Sequence, residues 1–178
     1  FAYWLVRSQT RMLLKTRKLL KEKEMALELI AKQKIELELR DKNLTDSLHY
    51  AHRIQEAMLP SEQFFRNHFS DSFIFFKPKD IVSGDFYWFS RRGTKLIITA
   101  GDCTGHGVPG ALMSMLGISF LEEIVNRRGI TDSDKILNEL RKEIKHALHQ
   151  KGTSDEAKDG MDISLCVIDK TKKMIRYS

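Results

Sequence analysis

Three acidic segments contain the residues best suited to do chemistry. Asp85 lies in the segment SGDFYW, Asp102 in the segment GDCTGHG and Asp162 in the segment DGMD. Each Asp stands where a β-rich run ends, turns or begins, and the Gly directly before Asp85 and before Asp102 permits close backbone approach. Hard cations prefer oxygen ligands, so carboxylates that converge from strand ends would bind them. The pattern favours a metal-dependent hydrolase.

Asp102 is the strongest candidate metal ligand among these residues. It follows the apolar run 95–100 and precedes a glycine-rich loop that leads into a helix. A carboxylate at this place could bridge two cations, although an Asx-type turn between strand and helix would also explain it. Asp85 interrupts an apolar strand, and an unpaired buried charge is costly there, so it must be solvated, paired or coordinating. Asp162 is open to the same two interpretations, a strand-end cap or a ligand.

Four further residues are candidates for the site. The backbone carbonyl of Cys103 offers another oxygen ligand, while its thiol is expected to be a small buried side chain. His106 could act as a general acid, contact phosphate, or brace the loop by hydrogen bonding. Lys77 and Lys79 lie upstream of Asp85 and could meet a substrate phosphate, or could be ordinary loop charges.

The elements that must position these residues alternate between strands and helices. Strands are predicted at residues 73–76, 81–90, 95–100, 163–168 and 174–177, and helices at 108–127 and 134–150. Strands, then helices, then strands indicate an α+β fold. The last strand is followed by no covering element before Ser178, so we expect the domain to continue further.

Residues 7–59 contain neither Gly nor Pro and are predicted to form one long helix. With heptad position a at residue 13 and every seventh residue to 55, nine of the fourteen a and d residues are apolar. This indicates a coiled coil of moderate quality, most simply a parallel dimer. The polar a residues Lys34 and Asp41 weaken its middle, which fits a signalling helix as well as a mediocre coiled coil.

The excess positive charge lies in one block. Residues 1–23 hold seven of the 30 basic and one of the 24 acidic residues, which leaves 23 of each in the remainder. A neutral remainder argues against a nucleic-acid binder. The apolar segment FAYWLV followed by clustered Lys and Arg is typical of the cytoplasmic end of a membrane helix, although six residues cannot span a bilayer. An apolar start to an ordinary solvated helix is the alternative.

An ordered series of motifs resembles the SpoIIE/RsbU-type serine phosphatases, the bacterial branch of the metal-dependent PPM (protein phosphatase type 2C) family. The motifs are HYAHRIQEAMLP at residues 49–60, KP at 77–78, SGDFY at 83–87, GD at 101–102, GHG at 105–107, GALMS at 110–114 and DGMD at 159–162. The resemblance covers about residues 45–178. It implies an αββα sandwich, C-terminally truncated here, with two Mn²⁺ or Mg²⁺ ions between its sheets.

The resemblance also implies residue roles. Asp102 would bridge both metals, the Cys103 carbonyl would bind one, and Asp85 and Asp162 would complete the part of the site present here. Asp85, Asp102 and His106 are the candidate catalytic residues, and metal-activated water would attack the phosphorus. The family has a further Asp ligand on a later strand, beyond Ser178, so the resemblance does not by itself imply that these residues alone are active.

The expected protein is a signal-regulated phosphatase of phosphoserine or phosphothreonine in a regulatory protein, such as an anti-sigma factor antagonist. We expect the possible end of a transmembrane helix at 1–6, a coiled-coil linker at 7–59 and the phosphatase domain at 60–178. The partners would be the phosphorylated substrate, a second copy through the coiled coil and an upstream sensor or membrane segment, with no nucleic acid. The location would be the bacterial cytoplasm, tethered to the inner membrane. A non-catalytic dimeric pseudophosphatase or signalling scaffold is the alternative.

Overall fold

The computed structural model describes residues 2–69, 71–150 and 159–178, and the chain divides into two compact units, Phe1–Ser47 and Leu48–Ser178. The first unit is a single helix, since α1 runs unbroken over Ala2–Met58. Residues 48–58 of the same helix belong to the second unit. The helix ends just before Pro60, as the absence of earlier Gly and Pro predicts. Exposed pairs such as Lys34 and Glu38, with 3.7 Å between charged atoms, follow the spacing of one helical turn.

The second unit contains one antiparallel sheet and its covering helices. The elements are α2 (Glu62–Arg66), β1 (Phe86–Arg92), β2 (Lys95–Cys103), α3 (Val108–Leu121), which continues as a π-helix over Glu122–Arg127, α4 (Ser133–Ala147), β3 (Met161–Asp169) and β4 (Met174–Tyr177). The strands lie in the order β1-β2-β3-β4. The α+β prediction is therefore confirmed. The described residues contain one sheet, with α3, the π-helix and α4 on one face, while Phe64 and Phe65 of α2 pack against Phe89 on the other face.

Alternation along the strands determines which face is covered. Trp88, Thr99 and Leu165 lie opposite one another on adjacent strands and are buried. They belong to the face on which α3, the π-helix and α4 pack, where Leu121 and Ile136 complete the apolar core. Residues one position away along each strand point to the other face.

The prediction of a strand at residues 73–76 is wrong. These residues form no regular secondary structure and pair with no strand among those described, and Phe73 and Phe75 are 81% and 83% exposed. Phe76 instead packs edge-on against Tyr87, with ring centroids 5.6 Å apart. A short continuous apolar run can form a strand only where a partner strand completes its hydrogen bonds, and the run itself does not encode that partner.

Two other boundaries differ from the predictions in ways that affect the site. The strand expected over 81–90 begins only at Phe86, so Asp85 precedes it. The strand expected to end at residue 100 continues to Cys103, so Asp102 lies within β2. Gly101 permits this extension because it sits directly against the Phe86 ring, where an added Cβ would lie 2.5 Å from a ring carbon.

One stretch of the described residues, Val108–Arg127, is long and apolar enough by composition to cross a membrane. Half of it is buried within the domain, since α3 and the π-helix pack against the sheet. We therefore treat it as a core helix.

Candidate functional site

The three predicted acidic residues lie in a row across three adjacent strands. Asp102 on β2 is directly opposite Asp162 on β3. Asp85 immediately precedes Phe86, whose partner on β2 is Gly101, so Asp85 lies beside Asp102. Partners across a ladder point to the same face. This row therefore points away from α3, the π-helix and α4. The strand register therefore places Asp102 between two other carboxylates.

Close backbone packing brings Asp85 to this row. Gly84 and Gly110 touch, because a Cβ on Gly110 would lie 3.0 Å from the Gly84 Cα and 2.5 Å from the Gly105 carbonyl oxygen. Gly105 has φ +90°, in the region that favours glycine. The entry to β1, the loop after β2 and the first turn of α3 therefore meet at backbone distance, which leaves no room for a side chain.

The loop after β2 is also fastened to the start of β3. Thr104 N donates to the carbonyl oxygen of Gly160 over 3.0 Å, and Gly160 N donates to Thr104 Oγ1 over 3.2 Å. These two bonds lie directly after Asp102 and directly before the strand that carries Asp162. They hold the two carboxylates in register.

The Asp85 and Asp102 carboxyls interact directly. Burial, then a hydrogen bond to Asp102, then the charge of Asp102 raise the pKa of Asp85 above its ordinary value. Two carboxylates side by side repel each other, and a shared proton or a bound cation relieves that repulsion. This pair therefore has the electrostatic character of a cation site.

Cys103 contributes through its backbone and not through its thiol. The side chain is 3% exposed, and burial followed by the charges of Asp102 and Asp85 raises the pKa of the thiol to about 12. A protonated thiol is a poor metal ligand and a poor nucleophile. The Cys103 carbonyl faces Gly84, the residue before Asp85, since a Cβ on Gly84 would lie 3.2 Å from that oxygen. The Cys103 carbonyl oxygen therefore lies on the Asp85 side of the row, where it could serve as a further oxygen ligand.

The donor set fits hard divalent cations, although it is not a closed cluster. Among the described residues, no three His, Cys, Asp or Glu side chains converge as a group that could hold a metal ion. Neighbouring strands lie roughly 4.8 Å apart, so a row over three strands spans about 10 Å. Such a row offers two neighbouring pairs of carboxylates that share Asp102, a donor arrangement suited to two ions more than to one.

The three carboxylates line an open cavity of ≈ 950 Å³ on the sheet face opposite α3, the π-helix and α4, and Phe65 of α2 lines it as well. Lys77 lines this cavity together with the three carboxylates, as the prediction of a phosphate contact requires. Lys79 is exposed and is not among the lining residues, so the structure does not bring it to the site.

His106 lies in the loop after β2 and is braced by a residue that the sequence did not point out. Its Nδ1 is 3.3 Å from Asp80 Oδ2, and the two side chains are 78% and 43% exposed. The contact favours the bracing role over free general-acid chemistry, and an exposed pair of this kind contributes little to stability. No sequence pattern marked Asp80 as a residue of the site, because it lies in an irregular segment.

A buried polar network connects α1 to the site, and sequence reasoning missed it. Gln55 is 3% exposed; its Nε2 donates to Ser83 O over 2.6 Å and to Ser114 Oγ over 2.8 Å, and its Oε1 accepts from Ser83 N over 3.0 Å. Ser114 Oγ also hydrogen-bonds to Ser83 O over 3.0 Å. Ser83 lies two residues before Asp85, and Ser114 lies on α3. The available signals were a polar residue at heptad position a and a Ser in an apolar helix.

Asp85→Asn tests the electrostatics of the row. Because the folded-state pKa of Asp85 is raised, its contribution to stability is favourable at low pH and is lost as pH rises through that pKa. We expect the Asn variant without metal to melt about 1–3 °C higher at neutral pH, a small gain because the side chain is exposed. The gain should vanish near pH 3, and Mn²⁺ should raise the melting temperature of wild type more than that of the variant. An Asn variant that melts lower at neutral pH without metal would contradict the proposed repulsion.

Comparison with known proteins identifies a related family and a related solved domain. The family model for SpoIIE, Stage II sporulation protein E, matches residues 92–178. The solved SiaA-PP2C domain of Pseudomonas aeruginosa is 34% identical with a TM-score of 0.66, over 77% of this chain and 53% of that one. The chain thus spans about half the length of that solved chain, and none of the curated proteins matches it. The family match and the likeness to this solved domain together point to a SpoIIE-type PP2C phosphatase domain in the second unit.

Proposed function

We propose that the protein is a metal-dependent phosphatase that hydrolyses phosphoserine or phosphothreonine in a regulatory protein. The observation that carries the proposal is the row of Asp85, Asp102 and Asp162, which lines an open cavity. An open cavity admits a side chain presented by another protein, whereas an enclosed one would select a small molecule. The family match supports the reaction class.

Each residue of the row has a defined part in this proposal. Asp102 is the central carboxylate and would contact both cations, with Asp85 and the Cys103 carbonyl on one side and Asp162 on the other. Bound Mn²⁺ or Mg²⁺ would neutralise phosphate charge and acidify a water at the site. Lys77 adds a positive charge where the phosphate would enter. His106, held by Asp80, would keep the loop after β2 in place.

We also propose that α1 regulates this site as a dimeric coiled coil that receives a signal from an upstream sensor or membrane segment. The helix reaches the domain unbroken, and Gln55 near its C-terminal end hydrogen-bonds to both Ser83 and Ser114. A rotation or shift of α1 would therefore bear on the residue that leads to Asp85 and on α3 together.

The direct test is phosphate release from phosphoserine, phosphothreonine and phosphotyrosine peptides with Mn²⁺, with Mg²⁺ and with a chelator. It should be measured on this chain and on the longest form of the protein that its gene encodes. We expect release that needs metal and prefers phosphoserine and phosphothreonine. Mn²⁺ binding without phosphate release in the folded, longest form would favour the pseudophosphatase alternative, and release that survives chelation would contradict the metal site.

A further inference from the structure

A stripe of five basic side chains runs along the N-terminal part of α1 on one face. The basic stripe consists of Arg7, Arg11, Lys15, Lys18 and Lys21. At about 100° per residue these five fall within an arc of about 120°. Five of the seven basic residues of the charge block therefore lie along one side of the helix, and Arg17 and Lys23 lie outside this arc.

The stripe faces away from the apolar seam of the same helix. In the heptad frame that places Leu13, Leu20 and Leu27 at position a, all five members occupy positions b, c or f. These positions point outward from a coiled coil. A helix pair can therefore form its seam and leave both basic stripes free for another partner.

The positive charge of the basic stripe is largely not neutralised by ion pairs with acidic side chains. All five residues are exposed, and within the part of the chain that the structure describes, Lys18 alone among them forms an ion pair, with Glu22 at 3.9 Å. Both members of that pair are highly exposed, at 79% and 60%, and such a pair is easily given up. A row of exposed cations spaced over about four turns fits an extended anionic surface better than a single small anion.

We propose that the basic stripe binds the anionic phospholipid surface of a membrane. The apolar segment FAYWLV comes directly before it, and Tyr3 is 79% exposed. Aromatic residues next to clustered Lys and Arg are characteristic of the membrane–water interface, and a basic segment is attracted to anionic headgroups. This interaction is independent of the phosphatase activity proposed above.

A nucleic acid is the competing polyanion, and the arrangement of the seam disfavours it. In basic-zipper proteins, the basic region of each DNA-binding helix lies N-terminal to the heptad repeat. The two helices can therefore diverge across the major groove. Here Leu13 lies between Arg11 and Lys15, so the seam starts inside the stripe. The helices could not diverge there without opening the seam.

Vesicle co-sedimentation of the full chain tests the proposal, with phosphatidylcholine vesicles compared to vesicles that also contain phosphatidylglycerol. We expect partition into the anionic vesicles only, falling as salt is raised from about 0.1 M to 0.5 M. The triple variant R11Q/K15Q/K18Q should bind about 100-fold more weakly, since each basic residue near an anionic surface contributes roughly a fivefold factor. Circular dichroism verifies that the helix is retained.

The matched control is K32Q/R40Q/K42Q, which removes the same charge from exposed positions of the same helix outside the stripe and outside heptad positions a and d. Unchanged binding of this control supports the proposal. An equal loss in both variants would mean that net charge alone matters and would overturn it. Equal binding to neutral vesicles, or displacement of the lipid-bound protein by duplex DNA with a tighter affinity, would overturn it as well.

Discussion

Asp102→Asn is expected to abolish metal-dependent phosphate release while leaving the domain folded. Asn keeps the size and one oxygen of the side chain but removes the charge that both neighbours of Asp102 depend on for cation binding. Loss of a residue that only orients a ligand costs about 10–100-fold, so loss of the central ligand should cost at least about 1,000-fold. Phosphate release from a phosphoserine peptide with Mn²⁺, measured beside a Mn²⁺ titration, checks both effects.

Folding failure cannot account for the expected loss, because the substitution relieves a repulsion. Asp102 is exposed and its charge raises the pKa of Asp85. Removing it should therefore leave the melting temperature without metal unchanged or slightly higher. Asp134→Asn on the exposed face of α4 is the matched control and should retain activity. Full activity in Asp102→Asn would place the chemistry elsewhere.

The chemistry of the site was predictable because it depends on short, local patterns. Asp85 and Asp102 each follow a Gly, Asp162 lies two residues after Gly160, and the structure places all three in one row. The sequence did not predict that the row is formed by strand register. Pairing between strands that are distant in the chain is decided by tertiary packing, which local propensity does not encode.

The misplaced elements have a common physical cause. Residues 73–76 have the composition of a strand but no described strand to pair with, and their Phe residues remain largely exposed. The heptad frame treats Gln55 as a seam residue, whereas the structure buries it inside the second unit. In both cases the local pattern is compatible with two environments, and only the neighbouring elements decide between them.

The burial of Gln55 also changes how the linker helix is interpreted. The first compact unit ends at Ser47, so residues 48–58 of α1 belong to the same unit as the site. Met58 and Leu59 pack against its apolar core. The last turns of α1 are therefore part of the second unit, in which Gln55 hydrogen-bonds to Ser83 and Ser114.

Gln55→Ala is expected to destabilise the second unit by about 2–4 kcal/mol, because it removes three buried hydrogen bonds and leaves the Ser83 N–H without its partner. The matched control is Gln33→Ala, an exposed Gln on the same helix, which should be nearly neutral. Chemical denaturation measures both. If the two variants are equally stable, the network does not hold the helix to the domain.

Stability alone would not distinguish a regulatory link from a structural brace, so the decisive measurement is Mn²⁺ affinity of the folded fraction. Ser83 is separated from Asp85 by Gly84 alone, and Gly84 touches Gly110 at the start of α3. Loss of the Gln55 bonds should let these segments move apart, and Mn²⁺ should bind about tenfold more weakly under conditions where the variant remains folded. Unchanged affinity would reduce Gln55 to a brace. A weakened affinity would mean that the same three hydrogen bonds that hold the end of α1 to Ser83 and Ser114 also position the first carboxylate of the row.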